Sequence, residues 1–314
     1  MRLVGFAWVA FAAVCYGLLG VFTLLAYEHD ANVSGVTIAR TLAMVPLLVV
    51  FAIPGGAARR ANVQAGWRPL LAMALMFTTM VGTYMIAVSR MSPALVTLII
   101  YTYSILAVLG SRAFGWSRLG RLALVAAALT VGGSAITIGF PAGSSDPIAI
   151  ALAMVNAVAT ALYFLFAQVA LRTCDPLTTS AAASGAAGVL LFACAFLIDQ
   201  PAWPSGRTGL AAAVCVGLVS TLIANIALLR GIGHLGGASA AVVSTTDIVV
   251  VITTMAFVFD QPITTGLVVG AVSIAAGAAL APVALIPSTS RQRHDLRDDR
   301  SCSAGKRPSD RLPF

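Results

Sequence analysis

Apolar residues in this chain neither alternate with polar ones nor line a single helical face. They come in long, nearly unbroken runs. Ten stand out, over residues 3–27, 36–56, 68–89, 93–115, 119–139, 147–171, 177–198, 208–230, 238–259 and 265–286. Roughly 20 apolar residues in a helix cross about 30 Å of hydrocarbon, so each run is long enough. Barrel strands would alternate over about 10 positions, and these do not. A helix satisfies its own backbone hydrogen bonds in lipid. The pattern therefore predicts an all-α membrane protein of ten transmembrane helices joined by short loops.

Composition agrees. Of 314 residues, 59% are hydrophobic and 10% charged, and mean hydropathy is +0.95. A soluble domain carries about 25% charged residues. The first run follows Arg2 but is too long for a signal-peptide core, and AYEHD at its end is a poor cleavage context; it reads as a retained helix. Lys and Arg in the loops set orientation. With the N-terminus inside, nine loop arginines fall on the cytoplasmic side (Arg2, Arg59, Arg60, Arg68, Arg112, Arg118, Arg121, Arg172 and Arg230), against Arg90 and Arg207 outside. The tail, 287–314, adds seven more basic residues. Both termini are expected in the cytoplasm. The net charge of +8 thus reports topology; the basic residues are spread over loops and form no nucleic-acid footprint. Basic charge is almost wholly Arg, Lys306 being the one lysine, which hints at a GC-rich bacterium and no more; the expected location is a bacterial inner membrane.

Cys15, Cys174, Cys194, Cys215 and Cys302 form no CxxC pair; in apolar runs Cys behaves as a small apolar residue. His29, His234 and His294 stand alone, and no GxSxG, Walker A or HExxH pattern occurs. No metal, cofactor or catalytic set is expected. The tail mixes charge with Ser and Pro and is expected to be disordered.

Two segments 144 positions apart correspond. ALVTLIIYTYSILAVLGSRAFGWSRLGRLALVAAALTVGGSA begins at Ala94, and ASAAVVSTTDIVVVITTMAFVFDQPITTGLVVGAVSIAAGAA at Ala238. One offset fits two runs and their loop without gaps, setting Ser117 opposite Gln261 and Gly133 opposite Gly277. The upstream fragments SRMSPA and RGIGHLGGA correspond as well. Five runs separate the copies, and an odd number inverts the second. Inverted repeats commonly enclose a midplane substrate site and rock around it. The expected division is 1–140, 141–286 and the tail. Gly266 and Gly270 form a GxxxG, which permits close helix approach.

These residues resemble the drug/metabolite transporter superfamily, EamA-type branch. YTYS (101–104) and STTDI (244–248) match the two contexts where that family usually carries a helix proline, and Gly270 and Gly277 match its small-residue helix. Arg40, in TIARTLAM, matches an Arg entering its second helix, and DPLT (175–178) the loop before its seventh. The resemblance implies ten helices in two five-helix repeats and transport of amino acids, metabolites, nucleotide-sugars or drugs. Here the prolines are replaced by Ser104 and Ile248, and the loop glutamates by Ser117 and Gln261.

Asp247 is the leading candidate for chemistry. An ionised Asp at mid-bilayer costs at least about 2.5–3.5 kcal/mol and usually faces a bundle interior or a wet cavity. It could carry a coupling proton, or simply bond Ser244 or a nearby Thr. Tyr103, opposite Asp247 in the repeat, is preferred over Tyr101, which lies about 200° away around an ideal helix. Tyr84 is central in the third run, with Thr79 and Thr83 nearby. Asn156 and Tyr163 share a face of the sixth, and Gln168 is expected at the interface. Asn225 lies in the eighth. Such residues line a path or hold helices together. Arg40 either snorkels to the outer interface or attracts an anionic group. Glu28 and Asp30 are expected to be solvated. Together these suggest a secondary transporter, an exporter of small amphipathic metabolites, amino acids or drugs, with a path lined by runs three, four, eight and nine. Protons are a candidate coupling ion, and the protein a monomer or homodimer. The rival readings are a membrane-embedded enzyme and a non-transporting scaffold.

Overall fold

The computed structural model describes residues 2–43, 56–88, 90–91, 93–115, 121–138, 146–198, 202–258 and 265–284, and every regular element among them is a helix. The chain forms α1 (Arg2–Gly17), α2 (Leu19–Tyr27), α3 (Val33–Leu42), α4 (Gly56–Ala65) and α5 (Trp67–Val88). It continues through α6 (Pro93–Ile100), α7 (Tyr103–Ala113), α8 (Arg121–Ile138), α9 (Pro147–Ala170) and α10 (Pro176–Ile198). After α11 (Gly206–Gly217) comes a π-helix, Leu218–Ile223. Then follow α12 (Ala224–Leu235), α13 (Gly237–Ser244), α14 (Asp247–Val258) and α15 (Thr265–Ala284).

Three helical stretches among the described residues are long and apolar enough to cross a membrane: Leu3–Tyr27, Pro147–Ala170 and Gly206–Leu235. The other predicted runs are interrupted, shorter, or partly outside the described residues. One expected loop is also a helix. α4, GAARRANVQA, is polar and largely exposed.

The fourth and ninth runs are each broken into two helices at corresponding places. α6 and α13 start at Pro93 and Gly237, α7 and α14 at Tyr103 and Asp247, and α8 and α15 at Arg121 and Thr265; every pair is 144 apart. No proline causes the breaks. Thr102, Ser104 and Ile105 donate their N–H groups to carbonyls three residues back, as do Thr246, Ile248 and Val249. The chain tightens there to 3₁₀-like geometry. Hydroxyls hold it. Thr102 Oγ1 donates to Ile99 O (2.7 Å), Thr245 Oγ1 to Val242 O (2.7 Å) and Thr246 Oγ1 to Val243 O (2.9 Å). Such back-bonding competes with the regular ladder and bends helices.

α8 and α15 are the most extensively packed pair, and their contacts are reciprocal. A β-carbon at Gly133 would lie 2.8 Å from Gly270 O and 2.9 Å from Ile274 N. One at Gly277 would lie 2.6 Å from Ala126 O and 3.1 Å from Thr130 N. Shifting either set by 144 yields the other. Position numbers rise along α8 as they fall along α15, so the helices run antiparallel. Ser273 Oγ donates to Leu129 O at 3.0 Å, its own counterpart at that offset. The crossing therefore has local two-fold symmetry, with small residues admitting the backbones.

The same exchange relates two further contacts. α1 meets α12 where Gly5 faces His234 and Leu235, and where Gly231 touches Val9. At the corresponding positions α9 meets α5 through the buried Ala149, Ala153 and Ala87.

Gly277→Val is expected to lower stability by about 1–3 kcal/mol, the usual cost of overpacking. Gly132→Ala, where a β-carbon meets nothing within 4 Å, is expected to leave it unchanged. Thermal unfolding of both variants in detergent distinguishes them.

Candidate functional site

The breaks in the fourth and ninth runs meet each other. α7 begins immediately after Tyr101 and Thr102, so the ideal-helix angle between Tyr101 and Tyr103 does not apply. Both rings point toward the other repeat, 6.0 Å apart. Tyr101 donates its hydroxyl to Asp247 Oδ1 at 2.9 Å. Tyr103 bonds Ser244 Oγ, also at 2.9 Å. Ser244 gives its own proton to Ala241 O, so Tyr103 is the donor. Its ring stacks on Phe164 with centroids 5.8 Å apart. The bond to Asp247 thus comes from Tyr101 of the other repeat, while Ser244, a nearby hydroxyl that could have served it, bonds Tyr103.

Asp247 is the first residue of α14 and stays partly exposed. A helix N-terminus favours negative charge, so the break that re-aims the helix also places the acid where the dipole of the new helix suits it.

A second polar cluster ties α9, α10 and α12. Asn225 Oδ1 accepts from Tyr163 at 2.8 Å, while its Nδ2 donates to Ser180 (3.2 Å) and Ser184 (2.7 Å). Asn156 acts between α9 and α5, where Nδ2 donates to Met80 O (2.6 Å) and Thr83 Oγ1 (3.1 Å). Although they lie on one helix, Asn156 and Tyr163 serve different neighbours. Gln168, near the end of α9, accepts from Gly237 N at 2.7 Å and caps α13. Asp30 accepts from Ser205 Oγ at 2.6 Å and is not merely solvated.

Arg40 reaches into the other repeat. Its Nε donates to Thr221 Oγ1 at 3.3 Å, and it lines a recess with Thr37, Phe77, Val81, Ser184, Gly188, Leu191 and Thr221. These described residues come from the second, third, seventh and eighth runs, while the tyrosine cluster is built from runs four and nine. Two of its pairs, Arg40 with Ser184 and Phe77 with Thr221, are again 144 apart. Thr221 lies in the π-helix and bonds Val216 O, five residues back. Such turns are frequent at functional sites. Tyr16 lies within electrostatic range of both Arg40 and Asp247. Tyr84 is 41% exposed and within range of Arg40.

The sequence matches the EamA-like transporter family twice, over residues 3–139 and 147–281. The chain belongs to that family. Its members are transporters of the drug/metabolite superfamily, multi-pass proteins of the membrane. No curated protein matches the sequence. Among solved structures 28 chains match. One, titled only as the crystal structure of a protein, superposes with a TM-score of 0.73 at 20% identity over 89% of this chain and 96% of that one. At that identity the likeness shows the fold alone.

As an EamA-like protein the chain lacks both helix prolines yet keeps both breaks, through Thr102, Thr245 and Thr246. Ser117 and Gln261, at the family's loop glutamates, lie outside the described residues, as do Asp260 and the tail. Among the described residues no group of three or more His, Cys, Asp or Glu gathers. Cys15, Cys174 and Cys215 are free thiols. Sequence reading missed Tyr16 and Thr221 as neighbours of Arg40. The doublet Tyr16–Gly17 was the available signal for the first, since Gly17 is where α1 approaches Val250 and Asp247 O. Nothing in the sequence marks the π-helix.

Tyr101→Phe removes the one side-chain donor to Asp247 described here. It is expected to cost about 1–3 kcal/mol in thermal unfolding, whereas Tyr84→Phe, at an exposed position, is expected to cost less.

Proposed function

We propose that the protein is a secondary active transporter of a bacterial inner membrane that exports small amphipathic metabolites, amino acids or drugs. Ten helices cross the bilayer in two inverted five-helix repeats, 1–140 and 141–286, with both termini and the tail, 287–314, in the cytoplasm. The reciprocal α8–α15 crossing carries this reading. Two antiparallel backbones that touch through equivalent residues form a pivot, and inverted repeats rocking about such a pivot open a midplane site to each side in turn.

The path runs between the repeats. Arg40 stands at the recess, Tyr84 follows Phe77 and Val81 along α5, Tyr163 and Asn225 lie behind, and Asp247 with Tyr101 and Tyr103 sits where the two broken helices cross. Asn156 holds α9 against α5 beside the path. The breaks are the hinges; with i→i−3 geometry already in place, small changes there re-aim α7 and α14. Asp247 takes a proton from one side and releases it to the other, so the proton gradient drives export. The partners are a small-molecule substrate, the lipid bilayer and protons, and the protein works as a monomer or homodimer.

Flux into proteoliposomes tests this. A thermal-shift screen over amino acids, nucleosides and cationic dyes first supplies a substrate. Asp247→Asn keeps the Tyr101 hydrogen bond but holds no exchangeable charge, so it is expected to abolish gradient-driven flux while binding persists. Unchanged flux with unchanged pH dependence removes Asp247 from the mechanism, and no flux of any ligand favours a scaffold. A chemical product formed by purified protein and lost in Asp247→Asn revives the enzyme reading. The double substitution Thr245→Ala, Thr246→Ala removes the hydroxyls that hold the α13–α14 break. It is expected to slow flux roughly tenfold, about 1.4 kcal/mol on the barrier, with less effect on affinity.

A further inference from the structure

Arg40 is the one described basic side chain that lines the recess, and no acid is among the described lining residues. Arg90 does have an acid partner, Asp146 at 3.3 Å near a loop. Arg40 has a single described hydrogen bond, from Nε to a neutral threonine. Its electrostatic neighbours, Tyr16, Tyr27 and Tyr84, are phenols. Arg40 is partly buried; a cation drawn even partly from water is costly unless paired, and here no described protein carboxylate does the pairing. The Nε bond fixes the guanidinium and leaves its two terminal nitrogens without a described partner. Those nitrogens form the fork that matches a planar carboxylate.

The surroundings restrict what an anion there can carry. Phe77, Val81, Leu191 and Gly188 form an apolar wall, while Ser184 and Thr37 add hydroxyl groups at its edge. One positive charge beside a wall of this kind suits a monoanion with an apolar body. A phosphate dianion would want more donors than the recess shows.

We propose that the recess binds a small amphipathic monocarboxylate, its acid group held by Arg40 and its apolar body against Phe77, Val81 and Leu191. This rests on the transporter reading for its physiological meaning, but the binding itself does not. An Arg whose counter-ion is the cargo is electrically complete only when loaded.

The test uses the full-length protein in nanodiscs, with thermal unfolding as the readout and ionic strength matched. The probes are benzoate against benzamide and hexanoate against hexanamide. A ligand that binds only the folded protein raises its midpoint in proportion to log concentration. The acids are expected to raise the midpoint of the wild type, and the amides to need roughly tenfold more for the same shift, since a charge-assisted pair is lost. Arg40→Gln is expected to lose the acid response, and Arg40→Lys to keep part of it. The unliganded Arg40→Gln midpoint is expected to stay at or above the wild-type value, because an unpaired charge has gone; a purely structural Arg40 would lower it. Equal potency of acids and amides in the wild type overturns the inference and needs no variant. So does an undiminished acid response in Arg40→Gln.

Flux separates this from the broader reading. Wild-type and Arg40→Gln proteoliposomes that carry an uncharged or cationic compound equally, without acid binding, sink the carboxylate site and leave a transporter. Arg40-dependent acid binding with no flux of any probe does the reverse.

Discussion

The structure depends on one close contact, the crossing of α8 and α15 at Gly133 and Gly277. There the backbones approach so near that no β-carbon fits on either helix. In lipid no hydrophobic force drives helices together, so van der Waals contact and interhelical hydrogen bonds must hold them. Ser273 supplies such a bond to the Leu129 carbonyl at the same crossing. Because each contact has a partner at the same offset, the crossing fixes how one half of the chain sits on the other. The paired contacts α1–α12 and α5–α9, and the two broken helices, repeat that relation farther out.

The breaks show how strongly lipid constrains the backbone. An unsatisfied N–H or C=O has no water to turn to, so a helix can be interrupted only where the freed groups find local partners. Proline is one way of ordering such an interruption. Here threonine and serine hydroxyls do it, each returning its proton to a carbonyl three residues back. The difference matters physically. A proline bend is covalent, whereas a hydroxyl-held bend exchanges one weak hydrogen bond for another and costs little to straighten or sharpen.

Much of this was legible beforehand because it follows from period and offset. The 144-residue repeat needed only Ala94, Ala238 and the ungapped match between them, and it located Gly133, Gly277 and the equivalence of Tyr103 with Asp247. Family membership was legible from YTYS, STTDI and the Gly-rich last helix. What was not legible lies in local departures from the ideal helix. Preferring Tyr103 over Tyr101 assumed an unbroken helix across residues 101–103; with the break there both rings point toward the other repeat, and Tyr101 bonds Asp247. For Arg40 the sequence offered the interface or an anion, and the π-helix adds Thr221 as a partner. Gln168, near a helix end, also caps α13, which nothing in its local sequence marks. Departures from ideal helical geometry carry little sequence signal, and the site is built from them.

Arg40 and Asp247 are held apart. Each sits within range of Tyr16, yet they form no salt bridge with each other. A direct pair would satisfy both and leave neither for a ligand; breaking it would then cost the full desolvation of each ion. Neutral hydrogen-bond partners, Thr221 for one and Tyr101 for the other, fix each group in place without cancelling its charge. Under the transport reading this separation has a consequence. Asp247 can gain or lose a proton without stranding Arg40, and Arg40 can take or release an anion without stranding Asp247. The two events are coupled through the field between the charges, a weaker link than an ion pair and one that both can cross in a single turnover.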